Sequence, residues 1–455
     1  MPAPFLFLIN YSIVHELPHQ HTLFKTSAAC TRAKTHRRHL FKNFFYADKS
    51  RLRFSATDKI DFAASPLCSS IYPSDVVKDA RFAELPVELG NTPPAYWYTD
   101  QSFFELEQEA ILRHSWVAVC RTDEVQEGGQ YAATSFGSKP IVVVKGEDGT
   151  LRAFYNVCRH RATCLMSGSG KVMRLSCPYH GWTYDLKGRL CVAPRMEGVE
   201  NFDMEDYSLV PLPIQVWGPL VYVFLGPGSP PQTVAQMMAS AGSYLDLEGL
   251  HFWCQRQYTV NANWKCIVDN YLDGGYHVPF LHKGLGAELD SKSYETILVE
   301  GEGASIQRCD ASEGISDREK ETDDVHVPVR VRVSGTAVYA CVYPYIMINR
   351  YGSIMDINRI VPVSANETTI IYDYFATKEF LSTDPEFLSS SLESSDRVQQ
   401  EDTAICESVQ AGLRSGAFLS GRYAPRVEHA VHQFHHWLAK SVVAAVEKRT
   451  RNEKI

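Results

Sequence analysis

The spacing of apolar residues changes period along the chain. Phe103, Phe104, Leu106, Ala110, Ile111, Leu112 and Trp116 recur at helical intervals, which predicts one amphipathic helix over Phe103–Trp116. The paired prolines of Asn91–Tyr98 predict an extended lead-in before it. From Gly128 to Gly226 the pattern shortens to that of strands. Ile141–Lys145 and Leu151–Val157 flank Asp148-Gly149 as a hairpin, and Thr183–Leu186 and Arg189–Ala193 flank Lys187-Gly188 as a second. Val172–Cys177 reads as a further β run and Leu220–Leu225 as a buried strand, and Gly226–Gln232 (GPGSPPQ) is the best linker.

Beyond the linker the periods mix. Asn263–Tyr276 is helix-like and stops near Pro279. Thr336–Asn349, Ile354–Val363 and Thr368–Phe375 alternate as strands, while Ser389–Leu413 and Val427–Val446 carry long helical patterns. No internal repeat is visible. The expected class is α+β: a lead-in and first helix at 61–115, an all-β domain at 116–226, a larger α+β domain at 227–447 and a tail at 448–455.

Composition narrows the class without naming a function. The 455 residues are 45% hydrophobic and 22% charged, enough apolar material for two to four packed domains and too regular a mixture for a disordered, collagen-like or coiled-coil chain. No uncharged apolar run approaches the roughly 18 residues of a spanning helix. The formal charge of −8 conceals an asymmetry: residues 1–60 carry +7 and the remainder −15. An acidic body gives no support for nucleic-acid binding. The basic, acid-poor, Phe-rich start reads as an organelle import sequence, the alternative being a disordered basic tail. Twelve cysteines are too few for a disulfide scaffold of this length. Cys120, Cys254, Cys266, Cys309 and Cys341 read as small hydrophobes or free thiols, and Cys164 as a spare buried thiol that a loop disulfide to Cys191 could also use.

Two constellations carry chemistry. The first is Cys158-Arg159-His160, sixteen residues, then Cys177-Pro178-Tyr179-His180. Each loop delivers one thiolate and one imidazole. A structural zinc site could use two of each, but zinc fingers group the cysteines together and the histidines together. Alternation within each loop is the Rieske arrangement, in which two Cys hold one iron of a [2Fe–2S] cluster and two His the other.

The second lies in Asn263–His282, NWKCIVDNYLDGGYHVPFLH. His277 and His282 are five apart, and Pro279 between them breaks the helix so that both can face one point. Asp269 and Asp273 lie just upstream, and Glu401-Asp402 sits in a later helix. Two His and one carboxylate on one face leave positions open for O2, the non-heme Fe(II) facial triad. Asp269, Asp273, Glu401 and Asp402 are the candidates for that carboxylate.

The order of the two sites, and the stretches PPAYWYT at 93–99, CPYHGWTY at 177–184, VDNYLDGGYHVPFLHK at 268–283 and SGRYAPRVEHAVHQFHHWL at 420–438, resemble the plant choline monooxygenase family of Rieske non-heme iron oxygenases. The resemblance spans about Pro93 to Trp437. It implies an all-β Rieske [2Fe–2S] domain joined to an α+β catalytic domain with an antiparallel sheet and long helices around a mononuclear iron. It also implies cluster ligands Cys158, His160, Cys177 and His180, and iron ligands His277, His282 and Asp402, with Glu401 as runner-up. In relatives a carboxylate three residues before the first histidine bridges to a neighbouring subunit's cluster. Gly274 stands there, so Asp273 is taken for the bridge and Asp269 as the next nearest acid.

The resemblance further implies a stromal chloroplast enzyme, a mitochondrial address being the alternative. It would be a head-to-tail trimer that uses reduced ferredoxin and O2 to hydroxylate choline to betaine aldehyde hydrate. Arg159, Arg161, Lys171, Arg174, Lys187 and Arg189 surround the cluster loops and read equally as a ferredoxin-docking patch or as a solvated surface. Trp264, Tyr271, Tyr276, Phe280, Tyr339, Tyr343, Tyr345 and Tyr351 are compatible with a cage for a quaternary ammonium, though each alone reads better as core. Two other readings stay open: an oxygenase of the same architecture with another substrate, and an electron-transfer Rieske protein without oxygenase activity.

Overall fold

A seven-stranded antiparallel sheet organises the larger part of the chain. Its strands, in chain order, are β1 (Leu250–Val260), β2 (Glu295–Val299), β3 (Ala304–Asp310), β4 (Thr336–Val342), β5 (Ile346–Tyr351), β6 (Ile354–Ser364) and β7 (Glu367–Thr377). They lie in the order β1-β7-β6-β5-β4-β3-β2. This computed structural model describes residues 73–299, 303–312, 319–320, 327–328, 335–383 and 385–452. The basic segment 1–60, expected to be an import sequence, lies outside them.

Strand register sorts the two faces of the sheet by chemistry. Ile306, Ala340, Ile348 and Ile357 are successive partners across β3, β4, β5 and β6. The neighbouring row, pointing the other way, is Gln307, Tyr339, Asn349 and Asp356. A one-residue slip would exchange the rows, so burial of the apolar one fixes the register. That face packs on Met237, Met238 and Ala241 of the helix Val234–Gly242, and on Trp116, Tyr222 and Phe224 of a three-stranded sheet. The polar row faces a helical layer made by α2 (Trp264–Leu272) and α4 (Pro385–Arg414).

The all-β part folds as expected, with a five-stranded sheet of order 169–171, 130–136, 139–145, 151–155, 211–212 and a three-stranded sheet of 175–176, 183–184 and 190–192. Val142, Val144, Phe154, Leu175, Trp182 and Tyr184 form its core. The mixed α+β class of the larger part is likewise observed.

Several sequence boundaries move. The first helix, α1 (Gln101–Leu112), is capped by Asp100, whose side chain accepts from Phe103 N; it stops at Leu112 because Trp116 opens the strand Trp116–Arg121. Tyr96–Thr99, which overlaps the end of the expected extended lead-in Asn91–Tyr98, is a helical turn. Thr336–Asn349 is two strands rather than one, since Pro344 cannot donate to a ladder. Strands β1, β2 and β3 carried no readable alternation. The C-terminal helix, α5 (His429–Asn452), runs into the expected tail. All ten described cysteines are free thiols, and Cys164 is exposed rather than buried. No described helix is long and apolar enough to cross a membrane.

The lead-in helix belongs to the larger domain, since it packs along α5. It is tied there by a buried ion pair: Lys265 Nζ donates to both oxygens of Glu107 at 2.7 Å, and Trp264 Nε1 donates to the same carboxylate. Both side chains are fully buried. Burial pushes the Glu107 carboxyl up and the Lys265 ammonium down, and each is held charged by the other. Removing one partner strands a charge. Lys265→Met should lower unfolding stability by about 3–5 kcal/mol in denaturant titrations. Lys171→Met, which breaks the exposed Lys171–Glu127 pair, should change it by less than about 1 kcal/mol.

Candidate active site and cluster-binding loops

The two Cys-His loops of the all-β part are built alike. Cys158 N donates to Thr163 O and Ala162 N to Cys158 O; Cys177 N donates to Trp182 O and Gly181 N to Cys177 O. Each loop therefore closes over six residues with its cysteine first, and the fifth residue is left-handed: Ala162 at φ 58° and Gly181 at φ 72°. Cys158 and Cys177 are buried while His180 stands at the surface. The His160 and His180 rings lie 4.7 Å apart, and Trp182 stacks on His160 at 5.0 Å. His160 Nδ1 is buried without a hydrogen-bond partner among the described residues. An orphaned imidazole nitrogen beside two buried thiols fits a [2Fe–2S] cluster, thiolates inside and imidazoles toward the solvent. The Tyr184 hydroxyl accepts from Arg159 N at 3.0 Å and lies 3.5 Å from Cys158 Sγ, where it can donate to a thiolate.

The second site forms where α2 ends. Asn263 caps the helix by accepting from Lys265 N. Gly274 and Gly275 end it in left-handed geometry, and a Cβ on Gly274 would clash with Val427 O. The chain then enters a short helical turn, α3 (Val278–Leu281), with His277 and His282 at its two ends. His277, His282 and Asp402 each offer a ligand atom, all within 4.8 Å of one another. Asp402 Oδ1 is 3.0 Å from His282 Nε2 and 3.7 Å from His277 Nε2. Cis donors on one metal at roughly 2.1 Å stand about 3 Å apart, so the group needs little adjustment to take an ion.

Each imidazole is backed by its own carboxylate. His277 Nδ1 lies 2.7 Å from Asp273 Oδ2, and His282 Nδ1 lies 2.7 Å from Glu401 Oε2. With Nδ1–H donated to the acid, both Nε2 lone pairs turn toward Asp402. Asn270 Nδ2 donates to Asp402 Oδ1 at 2.8 Å. The neighbouring acids Glu401 and Asp402, which sequence cannot separate, thus occupy different places. Asp273 also accepts from Tyr276 N and His277 N, so both its oxygens are engaged by the turn that carries His277. Asp269 lies away from this group: it accepts from the Tyr98 hydroxyl at 2.7 Å and meets His435 Nε2 at 2.9 Å.

A cavity of about 110 Å³ opens beside the three ligand atoms, between the polar face of the sheet and helices α2 and α4. Five tyrosines line it: Tyr271, Tyr294, Tyr339, Tyr351 and Tyr372. Tyr271, Tyr339 and Tyr351 were among the expected aromatics. Trp264, Tyr343 and Tyr345 pack instead in or against the apolar core, and Tyr276 and Phe280 are exposed. Sequence missed Tyr294 and Tyr372, along with Asn349 and Asp356; alternation placed Tyr372 in a strand but could not say what that strand faces.

Residues 115–203 match the family described as the Rieske [2Fe–2S] domain, and residues 247–444 match the ring hydroxylating alpha subunit (catalytic domain). Fold and sites together define a Rieske-type non-heme iron oxygenase, with a [2Fe–2S] cluster and a mononuclear iron as its cofactors. Over 398 residues the chain is 38% identical to the chloroplastic choline monooxygenase of Arabidopsis thaliana, covering 85% of this chain and 89% of that one. It is 30% identical to the carnitine monooxygenase oxygenase subunit of Escherichia coli strain K12, covering 80% and 97%. The solved structure of a quaternary ammonium Rieske monooxygenase superposes with a TM-score of 0.69 at 28% identity, covering 80% of this chain and 98% of that one. The chain belongs to the choline monooxygenase family of Rieske oxygenases.

The loop geometry carries a test. Ala162 holds a conformation that costs a non-glycine residue roughly 1–2 kcal/mol, so Ala162→Gly should keep the cluster's visible absorption with equal or higher thermal stability. Gly181→Val places a β-branched residue in the same conformation and should lose most of the cluster absorption and two irons per chain.

Proposed function

We propose that this protein is a ferredoxin-dependent monooxygenase that hydroxylates choline to betaine aldehyde hydrate in the chloroplast stroma. The observation that carries the substrate is the cavity: five tyrosine rings, no Lys or Arg among the described lining residues, and room for a small molecule only. An engineered cavity of about 150 Å³ takes benzene, so a space of this size suits choline better than a polycyclic ring. Tyrosine faces attract a quaternary ammonium, which cannot donate a hydrogen bond. The relatives named for choline, carnitine and quaternary ammonium substrates support the same reading.

Cys158, His160, Cys177 and His180 would hold the cluster, and His277, His282 and Asp402 the iron, which between them supply electron relay and O2 activation. Asp273 and Glu401 keep each imidazole in the tautomer that presents Nε2, and Asn270 steadies Asp402. The tyrosines hold the ammonium end so that the carbon bearing the hydroxyl points at the ligand group. One oxygen atom enters that carbon, the other leaves as water, and two electrons and two protons complete the balance.

Ferredoxin, an acidic carrier, would meet the cluster end of the molecule. Lys171, Lys187 and Arg189 already pair with Glu127, Asp148 and Asp185. The attraction then rests on Arg159, Arg161 and Arg174. A head-to-tail trimer would bring a neighbour's cluster to each iron, with Asp273, which backs His277, as the bridging acid on that path; Asp269, engaged by Tyr98 and His435, is the next acid along the chain.

The reading is tested with iron-loaded protein, reduced ferredoxin and labelled O2, offering choline, carnitine and glycine betaine in parallel. Promptly trapped, labelled betaine aldehyde hydrate is the expected product. It should vanish in His277→Ala while the Rieske spectrum persists. Turnover of another substrate with choline inert would remove the choline assignment, and two irons per chain instead of three would favour a pure electron carrier. In metal titrations Asp402→Ala should abolish mononuclear iron binding, while Glu401→Gln should weaken it about 10–100-fold.

A further inference from the structure

One wall of the cavity continues outward through a second tyrosine. Tyr372 of β7 lines the cavity, and its hydroxyl donates to Gln399 Oε1. On the edge strand β1, Tyr258 is its diagonal neighbour: register sets Tyr258 opposite Ile370 and Arg256 opposite Tyr372. The two rings meet edge to face, with centroids 5.4 Å apart and planes at 85°. Tyr258 is half-buried, and its hydroxyl donates to Asp396 Oδ1 of α4 at 2.8 Å. Asp396 Oδ2 accepts from Gln400 Nε2 at 2.7 Å, so both oxygens of that carboxyl act as acceptors. Burial and this carboxylate push the Tyr258 hydroxyl above its ordinary range, and it carries its proton at neutral pH.

Two rings in contact, one in the iron's cavity and one near solvent with a proton acceptor on its hydroxyl, form a path for an electron. We infer that Tyr372 and Tyr258, with Asp396 as base, carry oxidising equivalents out of the iron site when no substrate consumes them. Activation of O2 without a C–H bond to attack leaves the site short of electrons, beside a wall that holds the oxidisable side chains Met347 and Cys406. In the step, Tyr258 gives one electron through Tyr372 to the iron site, and its hydroxyl proton passes to Asp396 along the hydrogen bond. A neutral tyrosyl radical and a carboxylic acid result. A small one-electron reductant at the surface, such as ascorbate, returns the electron, and Asp396 returns the proton. Tyr271, Tyr294 and Tyr372 in the wall donate to amide or carbonyl oxygens, which take up a proton poorly, so the oxidation settles one ring further out. The function rests on the oxygenase chemistry of the site and not on which substrate the cavity takes.

The test drives iron-loaded holoprotein with hydrogen peroxide, without ferredoxin or substrate, and compares wild type, Tyr258→Phe, Asp396→Asn and His277→Ala. Samples frozen during the reaction are read by electron paramagnetic resonance, with ring-deuterated tyrosine to identify a tyrosyl signal. Peptide mass spectrometry scores oxidation of Met347, Cys406 and Tyr372. Wild type should give a tyrosyl signal that ascorbate erases. Tyr258→Phe keeps the ring packing; it should lose that signal and accumulate severalfold more oxidised wall residues. Asp396→Asn keeps an acceptor but not the base, and should lower the signal. His277→Ala, without the mononuclear iron, should show neither signal nor wall oxidation. With substrate and O2, Tyr258→Phe should match the wild-type initial rate and be inactivated after severalfold fewer turnovers. No tyrosyl signal in iron-loaded wild type, a signal unchanged in Tyr258→Phe, or equal wall oxidation in the two proteins would overturn the inference. So would a Tyr258→Phe protein that is slow from its first turnover without extra wall oxidation, since that is the signature of a purely structural residue. The peroxide arm contains no choline, so its outcome stands apart from the choline reading.

Discussion

Two carboxylate–imidazole hydrogen bonds set the conditions for everything at the metal site. A histidine on a surface turn can rotate and can carry its proton on either nitrogen. Asp273 behind His277 and Glu401 behind His282 remove both freedoms, and only then do two Nε2 atoms and Asp402 Oδ1 face one point. The backing acids come from different places. Asp273 is four residues before His277 on the end of α2, so one hydrogen bond closes within the turn itself. Glu401 sits on α4, over a hundred residues later, and so the site exists only when the two helices are docked.

That docking depends on the sheet. Burying the Ile306–Ala340–Ile348–Ile357 row against Trp116, Tyr222 and the helix Val234–Gly242 fixes the register, and the register in turn presents Gln307, Tyr339, Asn349 and Asp356 to the helices. The cavity is the space left where polar and aromatic side chains hold the layers apart. Hydrogen bonds from Tyr271 to Asn349, Tyr294 to Gln307 and Tyr372 to Gln399 anchor three of its rings, so the aromatic wall is rigid before any ligand arrives. Preorganisation of this kind would let the proposed ammonium substrate be held without ordering the wall around it.

Sequence made the metal chemistry legible for a local reason. Cys158, His160, Cys177 and His180 alternate within two short loops, and His277 and His282 flank one proline, so the pattern is complete within a few residues. The long helices and the strands β6 and β7 were legible because burial imposes a period. What could not be read depends on contacts distant in the chain. Glu401 and Asp402 are neighbours with the same charge, and only the helix rotation that turns one to Nδ1 and the other to Nε2 separates their roles. Strand β1 carries Gln255, Arg256 and Gln257 at the sheet edge and shows no clean alternation. Tyr294 and Asp356 gave no local signal, because what they line is assembled from five strands and four helices.

The proposed binding of a small quaternary amine in the tyrosine-walled cavity, beside a mononuclear iron held by two histidines and one carboxylate, can be measured at the iron itself. Nitric oxide added to the anaerobic, Fe(II)-loaded protein with its cluster oxidised reports on that iron by electron paramagnetic resonance, recorded with and without choline. The expected result is a quartet-state iron–nitrosyl signal of one per chain whose line shape changes on addition of choline. No such signal in protein carrying three irons, or one indifferent to choline at saturating concentration, would contradict it.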